Sequence, residues 1–303
     1  MTIQRLLASP TAVVIDGGLS TQLESMGHNL DDSLWTARTL LDDPDAITRA
    51  HRAFVNAGAQ VVITASYQVS RLGFQAAGRE PAAADAALLA SVQCARQAVA
   101  GTDALVAASI GPYGAIWHDG GEYRGNYGVH EDDLAQFHRE RIEVLTRSGP
   151  DLLAVETIPD AREARALARV LPTDIPSWVC FTMADGFSLR AGQPIEEAVA
   201  AVADLPGVVA VGINCTEPNH LPTALRRIAS VTDLPLVAYP NAGGTWDPAS
   251  TSWIGATQPI VDAARSWVRA GARLVGGCCG TDAKAIAELA GSIHGPAGTA
   301  VQA

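Results

Sequence analysis

Two adjacent cysteines, Cys278 and Cys279, sit within Gly276-Gly277-Cys278-Cys279-Gly280-Thr281. A third, Cys215, closes the apolar run Val208-Val209-Ala210-Val211-Gly212-Ile213-Asn214. Three thiols delivered from the ends of two strands make a zinc site with a vacant fourth position, able to take a substrate thiol. Neighbouring residues of a strand point to opposite faces, so the pair can share one metal only where the chain leaves strand geometry. Gly276, Gly277 and Gly280 permit that departure. Two plainer readings compete: core cysteines in a glycine-rich turn, and a phosphate cradle on the last loop. The loop holds no Arg or Lys before Lys284, which counts against phosphate. Cys94, within an apolar helix, and Cys180, within a strand, read as packing residues.

Carboxylates form the second group. Glu156 ends the apolar run Leu152-Leu153-Ala154-Val155, where a charge is costly without a partner. It reads as an anchor for a substrate ammonium group, with an ion pair or helix cap as the alternative. Asp16 is similar, although an acidic residue before Gly17-Gly18 also shapes turns. Tyr67, Tyr113, Trp117, Trp246 and Trp253 fall in loops, where aromatic faces would attract a cationic substrate. Each alone reads first as packing, and only several together suggest recognition. His51, His130 and His138 lack metal-binding spacing and read as surface or packing residues; His118, in the long third loop, reads first the same way, with contact to substrate as the alternative.

The elements that position these residues are legible as repeats. Strand-like runs occur at Val13–Ile15, Val61–Thr64, Leu105–Ile110, Leu152–Val155, Trp178–Phe181, Val208–Ile213, Leu236–Tyr239 and Arg273–Val275. They are continuously apolar, as in parallel strands covered on both faces. Helix-like stretches separate them, including Ala46–Asn56, Ala82–Val99, Asp132–Arg147, Ala161–Leu171 and Pro259–Ala270. Gly58, Gly149 and Gly271 each stop a helix just before a strand. Eight such units predict a single-domain α/β chain, a (β/α)8 TIM-type barrel over residues 1–294, with residues 295–303 a disordered tail. A doubly wound sheet is the alternative, but Asp16-Gly17-Gly18-Leu19 lacks the dinucleotide-binding spacing. In a barrel the chemistry lies on loops after the strands. The unusual residues fall there: Asp16-Gly17-Gly18, Ser66-Tyr67-Gln68, the long third loop from Gly111, Glu156-Thr157, Asn214-Cys215, Asn241 and Cys278-Cys279.

Bulk properties narrow the function. The chain has 303 residues, 48% hydrophobic and 17% charged, which suits a globular enzyme with its own core. A formal charge of −11 argues against nucleic acid. No apolar run is long enough to span a membrane, and no signal peptide is read. Five cysteines, two of them adjacent, make a poor disulfide framework and suit a reducing cytoplasm.

The motifs Asp16–Glu24, Thr64–Gln68, Ser109–Gly114, Glu156–Pro159, Gly212–Cys215, Tyr239–Gly243 and Gly276–Thr281 together resemble the homocysteine S-methyltransferase family, closest to members that use S-methylmethionine. The likeness spans residues 11–290. It implies a zinc-containing barrel that methylates homocysteine to methionine, an amino-acid biosynthetic step. Cys215, Cys278 and Cys279 match the family's zinc ligands. Glu156 and Asp16-Gly17-Gly18 match positions that hold the amino-acid end of homocysteine, and Ser66 and Asn214 join them as substrate-site candidates. Tyr67, Tyr113 and Trp117 are candidates for the donor site, with the third loop expected to close over the donor. Betaine-using relatives carry tyrosine where this chain has Thr157, which favours a sulfonium donor, S-methylmethionine or S-adenosylmethionine. Another donor, selenohomocysteine as acceptor, and a non-catalytic zinc-binding barrel remain as alternatives. A zinc hydrolase would want His and carboxylate ligands that are absent.

Overall fold

A computed structural model describes residues 1–30, 35–117, 119–243, 245–247, 252–254 and 260–295. Seven strands come first: β1 (Val13–Val14), β2 (Val61–Ile63), β3 (Leu105–Ile110), β4 (Leu152–Ile158), β5 (Ser177–Phe181), β6 (Val208–Asn214) and β7 (Leu236–Tyr239). A small antiparallel hairpin follows, β8 (Thr245–Asp247) with β9 (Ser252–Ile254), and β10 (Ala272–Val275) is the last strand. The eight-stranded sheet runs β1-β10-β7-β6-β5-β4-β3-β2 with every pair parallel. A parallel bridge from Ile15 to Val61 joins its two edges and closes the (β/α)8 barrel.

Side-chain alternation explains why the strands read as unbroken apolar runs. Leu105, Ala107, Leu152, Ala154, Trp178, Cys180, Val237, Tyr239 and Leu274 fill the barrel interior. Their neighbours Val106, Ala108, Leu153, Val155, Val179, Ala238 and Val275 pack outward against the helices. Both faces are dry, so both must be apolar. The N-terminal stretch forms a short helix, Ile3–Leu7, whose Ile3 and Leu6 join the interior cluster. No helix among the described residues is long and apolar enough to cross a membrane.

The expected helices differ from the observed ones mainly at their ends. They run Pro44–Asn56, Pro81–Val99, Glu131–Arg147, Ala161–Ala168 and Ile260–Arg269. Two of the starts move back onto a proline, which suits a first helical turn because its N–H would be unpaired anyway. The β8–β9 hairpin is a local addition that the run-by-run reading of the chain does not contain. His118 and residues 296–303 lie outside the described residues, as do the side chains of Trp246 and Trp253.

Candidate metal centre and substrate cavity

β6 and β10 end beside one another across β7, and this brings the three cysteines together. The sulfurs of Cys215, Cys278 and Cys279 all lie within 4.8 Å of one another. Thiolates about 2.3 Å from a tetrahedral zinc would stand about 3.8 Å apart, so the cluster has the right size for such an ion. The donor set also fits: among the described residues the group is three soft sulfurs. Cys215 and Cys278 are close enough to be joined as a disulfide, with Cα atoms 5.7 Å apart, while Cys279 is free. The composition had suggested no disulfide. Convergence on one point is what makes this pairing possible, and reduction would return all three sulfurs as ligands. Burial pushes the Cys279 thiol up to about 12, the opposite of what a cation at its sulfur would do.

Local backbone geometry turns these residues inward. Cys215 has φ 45°, a left-handed conformation at the end of β6. The pair Cys278-Cys279 lies beyond the end of β10, outside strand alternation. Gly17 and Gly18 allow the first loop to press against the last. A Cβ on Gly17 would stand 2.5 Å from the Thr281 carbonyl oxygen, and one on Gly18 would stand 2.5 Å from that of Cys278. The Gly18 N–H donates to that Thr281 oxygen at 2.9 Å.

A cavity of about 110 Å3 that opens to solvent lies against the cluster. Of the residues singled out in the sequence, Gly17, Gly18, Tyr67, Glu156, Cys215, Cys278 and Cys279 line it. Glu156 is buried. It accepts hydrogen bonds from the Ser109 hydroxyl at Oε1 and from the Tyr239 hydroxyl at Oε2, the latter at 3.1 Å. Burial outweighs these bonds and raises its pKa to about 7.

The other candidates stand behind the wall or away from it. Asp16 accepts the Ile63 N–H at Oδ2, 2.7 Å, while its buried Oδ1 has no partner. Burial, and then the like charge of Glu156, hold its pKa well above the carboxylate range. Ser66 faces neighbouring strands, sharing a 2.7 Å hydrogen bond with Thr64 and donating to the Ser109 carbonyl. Asn214 is spent on Thr157. Tyr113 packs edge-on against Phe137 behind the third loop, and Trp117 is 46% exposed, so neither lines the cavity. His138 is buried against Glu163, His51 is buried with neither nitrogen bonded, and His130 caps a helix.

Tyr123, one of the third-loop aromatics expected to shield the donor, reaches the cavity. Two further cavity residues escaped the sequence reading, Glu122 from the same loop and Tyr239 from within the barrel. Glu122 is raised to about 7 by burial. The third loop is tied down from below: Glu163 accepts the Tyr113 N–H at 2.6 Å and the Tyr127 hydroxyl at 3.2 Å. The buried Arg141 donates to the carbonyls of Gly111, Ser66 and Tyr67, joining the second and third loops. A glycine-rich loop with one glutamate carries no signal of burial, which is why Glu122 was invisible.

Comparison with known proteins agrees with this geometry. The family model described as homocysteine S-methyltransferase matches residues 13–293. The chain is 42% identical to the homocysteine S-methyltransferase of Escherichia coli, covering 95% of this chain and 97% of that one. It is 39% identical to homocysteine S-methyltransferase YbgG of Bacillus subtilis, covering 95% and 96%. The crystal structure of the homocysteine methyltransferase MmuM from Escherichia coli, in its metallated form, superposes with a TM-score of 0.85 at 41% identity, covering 95% of this chain and 98% of that one.

Proposed function

The chain belongs to the homocysteine S-methyltransferase family, and on that premise we propose that it transfers a methyl group from a sulfonium donor to homocysteine, giving methionine. S-Methylmethionine is the donor proposed first, with S-adenosylmethionine slower. The observation that carries this reading is the shared cavity: three converging cysteine sulfurs and the buried carboxylate of Glu156 line one space. A barrel that only stored metal would need the cysteines but not Glu156.

Zinc held by Cys215, Cys278 and Cys279 would supply the remaining ligand position, at which a substrate thiol loses its proton near neutral pH. Glu156 then holds the ammonium group of homocysteine. The hydroxyls of Ser109 and Tyr239 fix its two oxygens. Asp16 stands behind it, and a substrate ammonium would offset the like charge of Glu156 that helps hold the Asp16 pKa up. Tyr67 and Tyr123 wall the cavity and would shield the reacting atoms once both substrates fill it. The homocysteine sulfur forms the new bond to the methyl carbon. The donor's carbon–sulfur bond breaks, and its electron pair stays on the departing sulfur, which leaves as a neutral thioether. The protein's contribution is alignment and a dry site, so no side-chain base is needed for the transfer. Persistent thiols imply a reducing compartment, and the cytoplasm is the proposed location.

The test is an assay of the reduced, zinc-loaded protein with homocysteine and a panel of donors. S-Methylmethionine should be used fastest. Transfer from betaine, with none from either sulfonium compound, would overturn the donor assignment.

A further inference from the structure

The cavity wall contains a second carboxylate that the transfer as described leaves without a role. Glu122 lines the same space as Cys279, Tyr67 and Tyr123. Its Oε2 is buried and has no hydrogen-bond partner. Glu156, by contrast, has both oxygens bonded. The nearest cation in sequence, Arg124, pairs with Asp119 at 2.9 Å. Arg190 stacks on Tyr123, 5.4 Å from the ring centre, rather than on Glu122. A carboxylate oxygen shielded from water without a partner is costly, and a fold retains one where a ligand completes it.

The place of Glu122 on the cavity wall limits which ligand group it can meet. Glu156 is engaged at the β4 end, with Ser109 of β3 and Tyr239 of β7. Glu122 comes instead from the third loop, in the segment Gly121–Tyr123. Tyr123, the adjoining residue, reaches the Cys279 thiol. That thiol belongs to the metal centre where the methyl group must arrive. A methyl donor approaching that sulfur carries its positive charge on the atom bonded to the methyl. That charge is extinguished by the transfer itself.

We propose that Glu122, between Tyr67 and Tyr123 on the cavity wall, binds the cationic sulfur of the methyl donor and sets the preference for a charged donor. This rests on the proposed methyl transfer and adds the residue that recognises its second substrate. A sulfonium has no N–H to donate, so the attraction is charge to charge, helped by the tyrosine faces. Once the methyl has left, the thioether is neutral and the attraction ends, which favours product departure.

The test compares wild type with Glu122→Gln, which keeps the shape and removes the charge, and with Glu122→Asp, which keeps the charge one methylene further back. Steady-state kinetics would be measured on zinc-loaded protein with S-methylmethionine and homocysteine varied separately. Loss of a charged contact in a shielded site corresponds to about a ten- to hundredfold effect. The donor KM should rise by that factor in Glu122→Gln and by less in Glu122→Asp. The homocysteine KM and the zinc content should stay at wild-type levels. An unchanged donor KM in Glu122→Gln overturns the assignment, as does a parallel rise in both KM values or equal damage from both variants, which would make Glu122 structural. Wild type that uses no sulfonium donor would instead sink the proposed function itself, a separate outcome.

Discussion

Asn214 grips Thr157 at two points. Its Oδ1 accepts the Thr157 backbone N–H at 2.7 Å, and its Nδ2 donates to the Thr157 hydroxyl at 2.8 Å. Thr157 has φ 61°, a left-handed conformation that a β-branched residue adopts at a cost of about 1–3 kcal/mol. Glu156 precedes Thr157, and Cys215 follows Asn214. One buried amide therefore ties the carboxylate side of the cavity to the sulfur side.

Asn214→Ala should release that tie. It leaves the Thr157 N–H buried without a partner, which costs about 1–3 kcal/mol of stability. The homocysteine KM should rise as Glu156 loses its fixed position. Denaturant unfolding and steady-state kinetics check the two effects together, and wild-type values for both would reduce the bracket to an incidental contact.

Glu156→Gln should weaken homocysteine binding by about ten- to a hundredfold while zinc is retained. A pH dependence accompanies it. Burial raises Glu156 to about 7 in the free protein, so below that pH it is protonated and neutral. A substrate ammonium needs the ionised form, and binding must then displace a proton. Homocysteine kcat/KM should therefore fall as pH drops below about 7 and level off above it. Asp16 and Arg141 share this environment and stay in the variant. The acid limb should accordingly become shallower by one proton in Glu156→Gln, not vanish. An identical profile in both proteins would show that Glu156 does not titrate with binding.

Glu163→Ala should loosen the third loop without touching the cysteines. Glu163 is buried and holds the Tyr113 N–H, the Tyr127 hydroxyl and His138 Nε2, the last at 2.8 Å. Each group left without a partner costs about 1–3 kcal/mol. The donor KM should rise more than the homocysteine KM, because Glu122 and Tyr123 ride on this loop. Metal analysis on the same sample separates loop damage from loss of the centre, and equal effects on both substrates would count against the loop's role with the donor.

The barrel was legible because its strands are buried on both faces and its helices end on glycines such as Gly58 and Gly271. The sulfur cluster was legible because cysteines are few, and two of them stand next to each other after a strand. Side-chain roles at the rim were harder to read. Ser66 and Asn214 occupy the expected strand ends, but whether such a residue faces the cavity or a neighbour depends on backbone angles like those of Thr157 and Cys215. Tyr113 and Trp117 were aromatic residues in the right loop. Packing on Phe137 takes the first and solvent takes the second, while Tyr123 and Glu122 of the same loop reach the cavity. Tyr239 looked like one more apolar strand residue, yet its hydroxyl orients Glu156.

The central claim is that Cys215, Cys278 and Cys279 hold the metal on which methyl transfer depends. Metal analysis of the reduced protein and of Cys215→Ala and Cys279→Ala tests it most directly, with each sample also assayed for methyl transfer to homocysteine. About one zinc per chain is expected in wild type. Both variants should lose the metal and the activity while remaining folded, because a barrel of this size has its own core. Full zinc occupancy in both variants would contradict the account.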